Sequence, residues 1–357
     1  MIDIITKKEE WRSLIKSVQH YDFYHTWYYH ELSKKEDETP ILIKYTEDDL
    51  IIALPLLIRP INGTPYKDAT SVYGYPGPLF LTDPGHFDNS KLRDELHDYF
   101  VQSKIVTVFS RLHPYIEYQE SILIGMGEVV RHNDVVNIDL ELPLEVQRQR
   151  YNSRLKTYIN KARKFCSVYR GKENHDIQAF IDIYYRNMQR VNANVSYFFS
   201  KEYFHNLLLS EDFEAELLLC KLNDTGEIIG GAIFVKTDNI IQYHLSGSKE
   251  EYLHLSPVKL IIDEMRIEAT EQKYTYFNLG GGKANREDSL FNFKTSFSHN
   301  LKSFKIWKYI TDKKTYEYLI ERELKRVSKV MTDEELAYFP AYRLLPQISQ
   351  LIDEENQ

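Results

Sequence analysis

Phe293 and Lys294 stand side by side, downstream of the run Gly280-Gly281-Gly282, and Phe297 follows them. A flat ring next to an ammonium suits a ligand with one planar and one anionic part. An ammonium aimed at a carbonyl oxygen also stabilises the oxyanion that forms when an amine attacks an ester or thioester. Three consecutive glycines let backbone approach another group closely and leave amide donors uncrowded. Asp288 lies between the glycines and the lysine. The same letters would also be produced by a glycine turn leading into an amphipathic segment with two core phenylalanines. His244 is the candidate general base by residue type, because an imidazole titrates near neutrality. Its neighbour Tyr243 shares a strand that could point into the same cleft.

A second candidate is the basic stretch Glu145 to Lys164, with Arg148, Arg150, Arg154, Lys156, Lys161, Arg163 and Lys164. It reads either as a solvated helix face or as a phosphate contact, with Arg154, Lys161 and Lys164 as the contact residues. A third is the aromatic segment Tyr21 to Leu32, where Trp27 forms either a buried helix start or the wall of a substrate cleft. A helix is predicted from Lys201 to Leu209, and Tyr203 near its start could reach a cleft. Cys166 and Cys220 have no motif around them. No His, Cys and Asp cluster has metal-ligand spacing, so no metal is expected.

These residues need elements to hold them. Pro40 to Arg59 reads as a hairpin of two apolar runs about an acidic turn, and Phe213 to Thr237 repeats that pattern around Asn223-Asp224-Thr225-Gly226. Helices are predicted at Ser90–Gln102, Glu145–Lys164, Ile177–Arg190, Ser256–Gln272 and Lys313–Lys329. Strands are predicted at Ile105–Arg111, Val135–Leu140, Ile240–Ser248 and Tyr274–Leu279, the last ending on the glycines. Two copies of strand-turn-strand with flanking helices imply two similar α/β domains of α+β type. Each is expected to hold a mixed, mainly antiparallel sheet. The boundaries expected are 1–140, 141–312 and a helical tail at 313–357, whose end, Glu354 to Gln357, is read as loose.

The 357 residues suffice for two domains of ordinary size, each with its own core. A net charge of −8 argues against a broad electrostatic grip on nucleic acid. No apolar run is long enough for a membrane span, and the first residues do not read as a signal peptide. With two cysteines and no disulfide framework, the expected compartment is the cytoplasm.

The order Leu279-Gly280-Gly281, a polar loop, Asp288-Ser289-Leu290, then Phe293-Lys294 and Phe297 resembles the Fem-type (FemABX-like) aminoacyltransferases and the wider set of tandem acyltransferases around them. The likeness extends more weakly from Tyr21 to Tyr309. It implies two tandem acetyltransferase-like (GNAT) domains and transfer of an aminoacyl or acyl group to an amine of a cell-envelope precursor, a peptide or an amino sugar. In that reading Lys294 is catalytic, Phe293, Gly280, Gly281, Gly282 and Tyr243 meet the donor, and Trp27, Arg154, Lys161, Lys164, Tyr203 and Asp288 serve the substrates. The lysine that follows the aromatic in the family is replaced here by Tyr28, Tyr29 and His30, which points to an acceptor other than the family's own.

The donor is expected to be an aminoacyl-tRNA or an acyl-coenzyme A, and no other cofactor is implied. GNAT enzymes hold the coenzyme A pyrophosphate on a glycine-rich loop at a helix N-terminus. The equivalent stretch here, Ser246 to Lys259, lacks those glycines and carries Glu250 and Glu251. That favours the acceptor end of a transfer RNA. The alternatives are a coenzyme-A-dependent N-acyltransferase of surface-polysaccharide sugars and a non-catalytic binding protein on the same fold.

Overall fold

In chain order the strands and helices are β1 (Ile2–Ile5), α1 (Lys8–Lys16), α2 (Trp27–Ser33), β2 (Thr39–Glu47), β3 (Leu50–Pro60), β4 (Lys67–Thr70), β5 (Leu79–Phe80), α3 (Ser90–Gln102), β6 (Ile105–Arg111), α4 (Gln119–Leu123) and β7 (Glu128–Asp139). They continue with α5 (Leu144–Gln149), α6 (Ser153–Phe165), β8 (Cys166–Arg170), α7 (Asn174–Arg190), α8 (Lys201–Leu208), β9 (Glu214–Leu222), β10 (Ile228–Thr237), β11 (Ile240–Ser248), α9 (Pro257–Glu271), β12 (Tyr276–Gly280), α10 (Ser289–Thr295), β13 (Asn300–Ile310) and α11 (Lys313–Val327). The computed structural model describes residues 1–18, 20–83, 87–282, 288–327, 332 and 338–344. The polar loop 283–287, the end of the predicted last helix and the expected loose tail lie outside the described residues.

The chain divides into two compact units, neither contiguous in sequence. The first takes the N-terminal residues, Ser33–Arg131 and the described residues from Phe304 onward. The second takes His20–Leu32 and His132–Ser303. The aromatic segment with Trp27 therefore belongs to the second unit despite its early place in the chain. Asp22 ties it there by accepting from Gln242 Nε2 at 2.5 Å, and the Tyr28 amide donates to Asp212 at 3.0 Å.

In the first unit the strands run β1-β2-β3-β4-β6-β13. All neighbours are antiparallel except β4 and β6. In the second unit they run β8-β9-β10-β11-β12-β7, antiparallel except β11 and β12. The two sheets thus repeat one pattern: three antiparallel pairs, one parallel pair, and a last strand from a distant part of the chain. The parallel pair requires a helical crossover, supplied by α3 in the first unit and α9 in the second. The first core packs Ile41, Leu54, Leu56 and Val108 against Leu92, Leu96 and Phe100 of α3. The second packs Phe234, Ile241, Phe277 and Leu279 against Leu155 and Ile159 of α6 and Ile261 and Met265 of α9.

The basic stretch expected as one helix is two. Asn152 breaks it, its Oδ1 accepting from the Leu155 amide at 2.7 Å and so starting α6 afresh. The break turns Tyr151 inward, where its hydroxyl donates to the fully buried Asp263 at 2.7 Å. β7 also starts earlier than the predicted Val135, because its first half is exposed and carries no apolar run.

Candidate functional site

α10 begins at Asp288, whose Oδ1 accepts from the Phe291 amide at 2.8 Å. Positions 291, 294 and 297 then fall on one side of the helical stretch. Phe291 and Phe297 are buried there, and the same spacing buries Lys294 between them. Lys294 is 8% exposed, and its Nζ donates to the carbonyl of Gly281 at 2.7 Å. Burial pulls the ammonium down from its ordinary value to about 7, against the nearby Asp288 carboxylate, which raises it. Near neutral pH this side chain is therefore divided between ammonium and free amine. Phe293 is half-buried and packs on the core with its ring 5.7 Å from that of Phe297.

The carbonyl that meets Lys294 is aimed by the end of β12. Gly280 has φ +76, a left-handed conformation in which a side chain is strained. A Cβ at Gly280 would also stand 3.0 Å from Lys294 Nζ, and one at Gly281 would stand 2.9 Å from the carbonyl oxygen of Asp134. The turn is held by Asn278, whose Oδ1 accepts from the Gly280 amide at 2.8 Å. Asn278 was not singled out in the sequence, although an Asn two residues before a Gly is a known turn signal.

β11 and β12 are paired only at Ile240–Tyr276, Ile241–Phe277 and Gln242–Asn278. Beyond that β12 turns at Gly280, while β11 continues to Ser248. The edge of β11 from Tyr243 onward has no strand beside it among the described residues, so its backbone groups on that edge are open to a ligand. Tyr243 lies at this fork, its ring centre 6.0 Å from Lys294 Nζ. Its hydroxyl meets that of Ser246, and burial pushes the phenol up to about 12.

His244 faces elsewhere. It is the extra residue of a β-bulge between β10 and β11, where Phe234 opposes Tyr243 and Ile233 opposes Leu245. Its ring meets Phe23 and Tyr29 edge-on at 5.5 and 6.2 Å, and its Nε2 is 3.0 Å from the Tyr203 hydroxyl. Burial lowers its pKa to about 4, so the ring is neutral at ordinary pH and can accept from Tyr203. Tyr203 stacks on Phe199 at 4.3 Å. Thus Lys294, Tyr243, Gly280 and Gly281 come together at the fork, while His244 and Tyr203 form a separate pair with the 20–32 segment. Trp27, half-buried at the start of α2, belongs to that segment.

On α6, Leu155, Ile159 and Ala162 form the buried face, and Arg154, Lys161 and Lys164 are exposed opposite it. Two other arginines of the basic stretch are engaged. Arg148 and Arg163 reach Asp263 at 3.3 and 2.8 Å, where Arg266 also pairs at 3.0 Å. No helix among the described residues is long and apolar enough to cross a membrane.

Residues 147–294, from α5 to Lys294 itself, match the family model for the acetyltransferase (GNAT) domain. No curated protein matches the sequence. Among solved structures, FemX is similar at a TM-score of 0.69 with 14% identity, covering 88% of this chain and 99% of its own. A conserved protein of unknown function from Bacteroides thetaiotaomicron gives 0.54 with 11% identity, over 87% of this chain and 100% of its own. The C-terminal domain of a candidate lysylphosphatidylglycerol synthetase from Agrobacterium fabrum gives 0.53 with 13% identity, over 87% and 94%. At such identities the likeness is one of fold.

Proposed function

We propose, since residues 147–294 match the GNAT domain model and the chain shares the fold of FemX, that it transfers an aminoacyl or acyl group from an activated donor to an amine of a cell-envelope precursor. The observation that carries this reading is Lys294: a buried amine with a pKa of about 7, held on the Gly281 carbonyl where β11 and β12 part. An incoming amine nitrogen forms a bond to the donor carbonyl carbon, and the carbonyl electrons move to oxygen. Lys294 as ammonium stabilises that oxyanion. The electrons then return, the bond to the leaving oxygen or sulfur breaks, and the proton lost by the amine goes to the leaving group. A donor arm fits between the parted strands, hydrogen-bonding the open edge of β11. In the aminoacyl-tRNA form of the reading Phe293 stacks the terminal adenine, a contact worth roughly 1–3 kcal/mol.

A ring with a pKa of about 4 is a weak base at neutral pH. His244 therefore takes no part in proton transfer and serves as the partner of Tyr203. Arg154, Lys161 and Lys164 are the exposed cations proposed to meet substrate phosphates, with Trp27 as a wall of the acceptor site.

The test is calorimetric binding of a stable aminoacyl-RNA mimic and of acetyl-coenzyme A, with the wild type and Lys294→Ala, followed by a transfer assay with the donor that binds. The expected result is binding of the RNA mimic and a loss of about 10²–10³ in rate for the variant. The rate should fall as pH rises through 7, because the ammonium form is lost. Tight binding of acetyl-coenzyme A alone would move the reading to the sugar N-acyltransferases. Unchanged transfer by Lys294→Ala would remove the mechanism, and binding of neither donor would favour a non-catalytic protein.

A further inference from the structure

The first unit holds a cavity of about 440 Å³ that the transfer chemistry does not use. Cations reach it from three elements. Arg59 comes from the end of β3, Arg322 and Arg326 from α11, and Arg343 from the turn Ala341–Arg343, with Lys35 at the rim.

How these guanidiniums are held decides what they can still bind. Asp68 is fully buried and is gripped on one oxygen by Arg59 Nε at 2.6 Å and on the other by Arg343 Nε at 2.8 Å. Tyr342 donates a further hydrogen bond to it at 3.1 Å. One carboxylate thus anchors two arginines and neutralises one of them. On α11, Glu323 takes the Nε of Arg326 at 2.8 Å. Arg322 Nη2 donates to the Asn62 carbonyl at 2.8 Å, while its Nη1 is buried without an acceptor among the described residues. In Arg59 and Arg326 it is the Nε edge that is engaged, and both residues line the cavity. Asp37 and Glu38 also line it, but Glu38 is turned to its own loop, accepting from the Lys35 amide at 3.0 Å. The five cations outnumber Asp37, Glu38, Glu323 and Asp68 by one.

A buried N–H with no acceptor costs free energy until something supplies one. Guanidinium groups with their Nε edges fixed present their remaining donors in a set direction, and that geometry matches the several oxygens of a phosphate. A cavity of this size is in the range of small-molecule sites. Tyr338 adds a partly exposed ring at the rim. We propose that this cavity binds a small molecule bearing a phosphate or pyrophosphate group, at a site separate from the fork that carries Lys294.

The test uses the full chain with inorganic phosphate and pyrophosphate, by calorimetry and thermal unfolding, at constant ionic strength set with sodium chloride. The wild type is compared with Arg326→Gln and with Lys35→Gln, an exposed position whose change leaves the core untouched. The expected result is saturable binding of one anion per chain and a rise in Tm beyond that given by chloride. Affinity should fall about tenfold in Arg326→Gln and about threefold in Lys35→Gln. Should Arg326→Gln fail to fold, Lys35→Gln alone decides. No saturable heat with either anion, or an affinity that the folded variants leave unchanged, overturns the proposal.

Discussion

Lys294→Met gives a prediction that needs no substrate. Methionine has nearly the length of lysine and fills a partly apolar site without a charge. In the folded chain Lys294 titrates near 7, and in the unfolded chain near 10.5. Between those values the unfolded state binds the proton and the folded state does not. Wild-type stability therefore rises with pH across that window, by about 1.4 kcal/mol per pH unit at its steepest. At pH 7 the penalty for burying this amine amounts to about 4 kcal/mol. Losing the hydrogen bond to the Gly281 carbonyl returns about 1 kcal/mol of it. The variant is then expected to be more stable than the wild type by about 3 kcal/mol at pH 7, the gain shrinking to about 1 kcal/mol by pH 9. Urea unfolding of both proteins at pH 7, 8 and 9 measures this, and the shared tyrosine and cysteine titrations cancel in the difference. A difference that stays constant over those pH values would show that Lys294 titrates as an ordinary lysine, and the argument from burial would fall.

Asp263→Ala removes the one carboxylate that Arg266, Arg148, Arg163 and Tyr151 share and leaves the nearly fully buried Arg266 charge without it. The expected cost is about 3–5 kcal/mol, read as a lowered urea midpoint. Gly281→Ala sets a Cβ 2.9 Å from the Asp134 carbonyl oxygen, which is backbone and cannot swing away. The Gly281 carbonyl must then move off Lys294, and the pH dependence of Lys294 labelling by an amine reagent should shift; an unshifted profile would mean that this carbonyl does not hold the lysine.

Much of the architecture was legible in the sequence because it rests on local pattern. The hairpins show as paired apolar runs about polar turns, and Ser90–Gln102 and Ile105–Arg111 have the bounds their periodicity predicts. The repeat of strand-turn-strand announced two like sheets, and the glycine run marked the end of β12. Other features left weak signals or none. The break at Asn152 has a capping residue in plain view, yet the basic residues on either side mask it. Arg148 and Arg163 read as free cations until α9 brings Asp263 against them.

The residue types, the order of elements and the helical spacing of Phe291, Lys294 and Phe297 were set by sequence alone, since each depends on neighbours a few positions away. The tertiary structure decided which side chains meet. It returned residues 20–32 to the second unit through Asp22 and Gln242, far apart in the chain. It placed a bulge at His244, turning that ring to Tyr203 and leaving Tyr243 at the fork. It also buried Lys294 deeply enough to halve its charge at neutral pH. Each of these outcomes depends on burial and on pairing across long sequence separations, and neither has a local period to read.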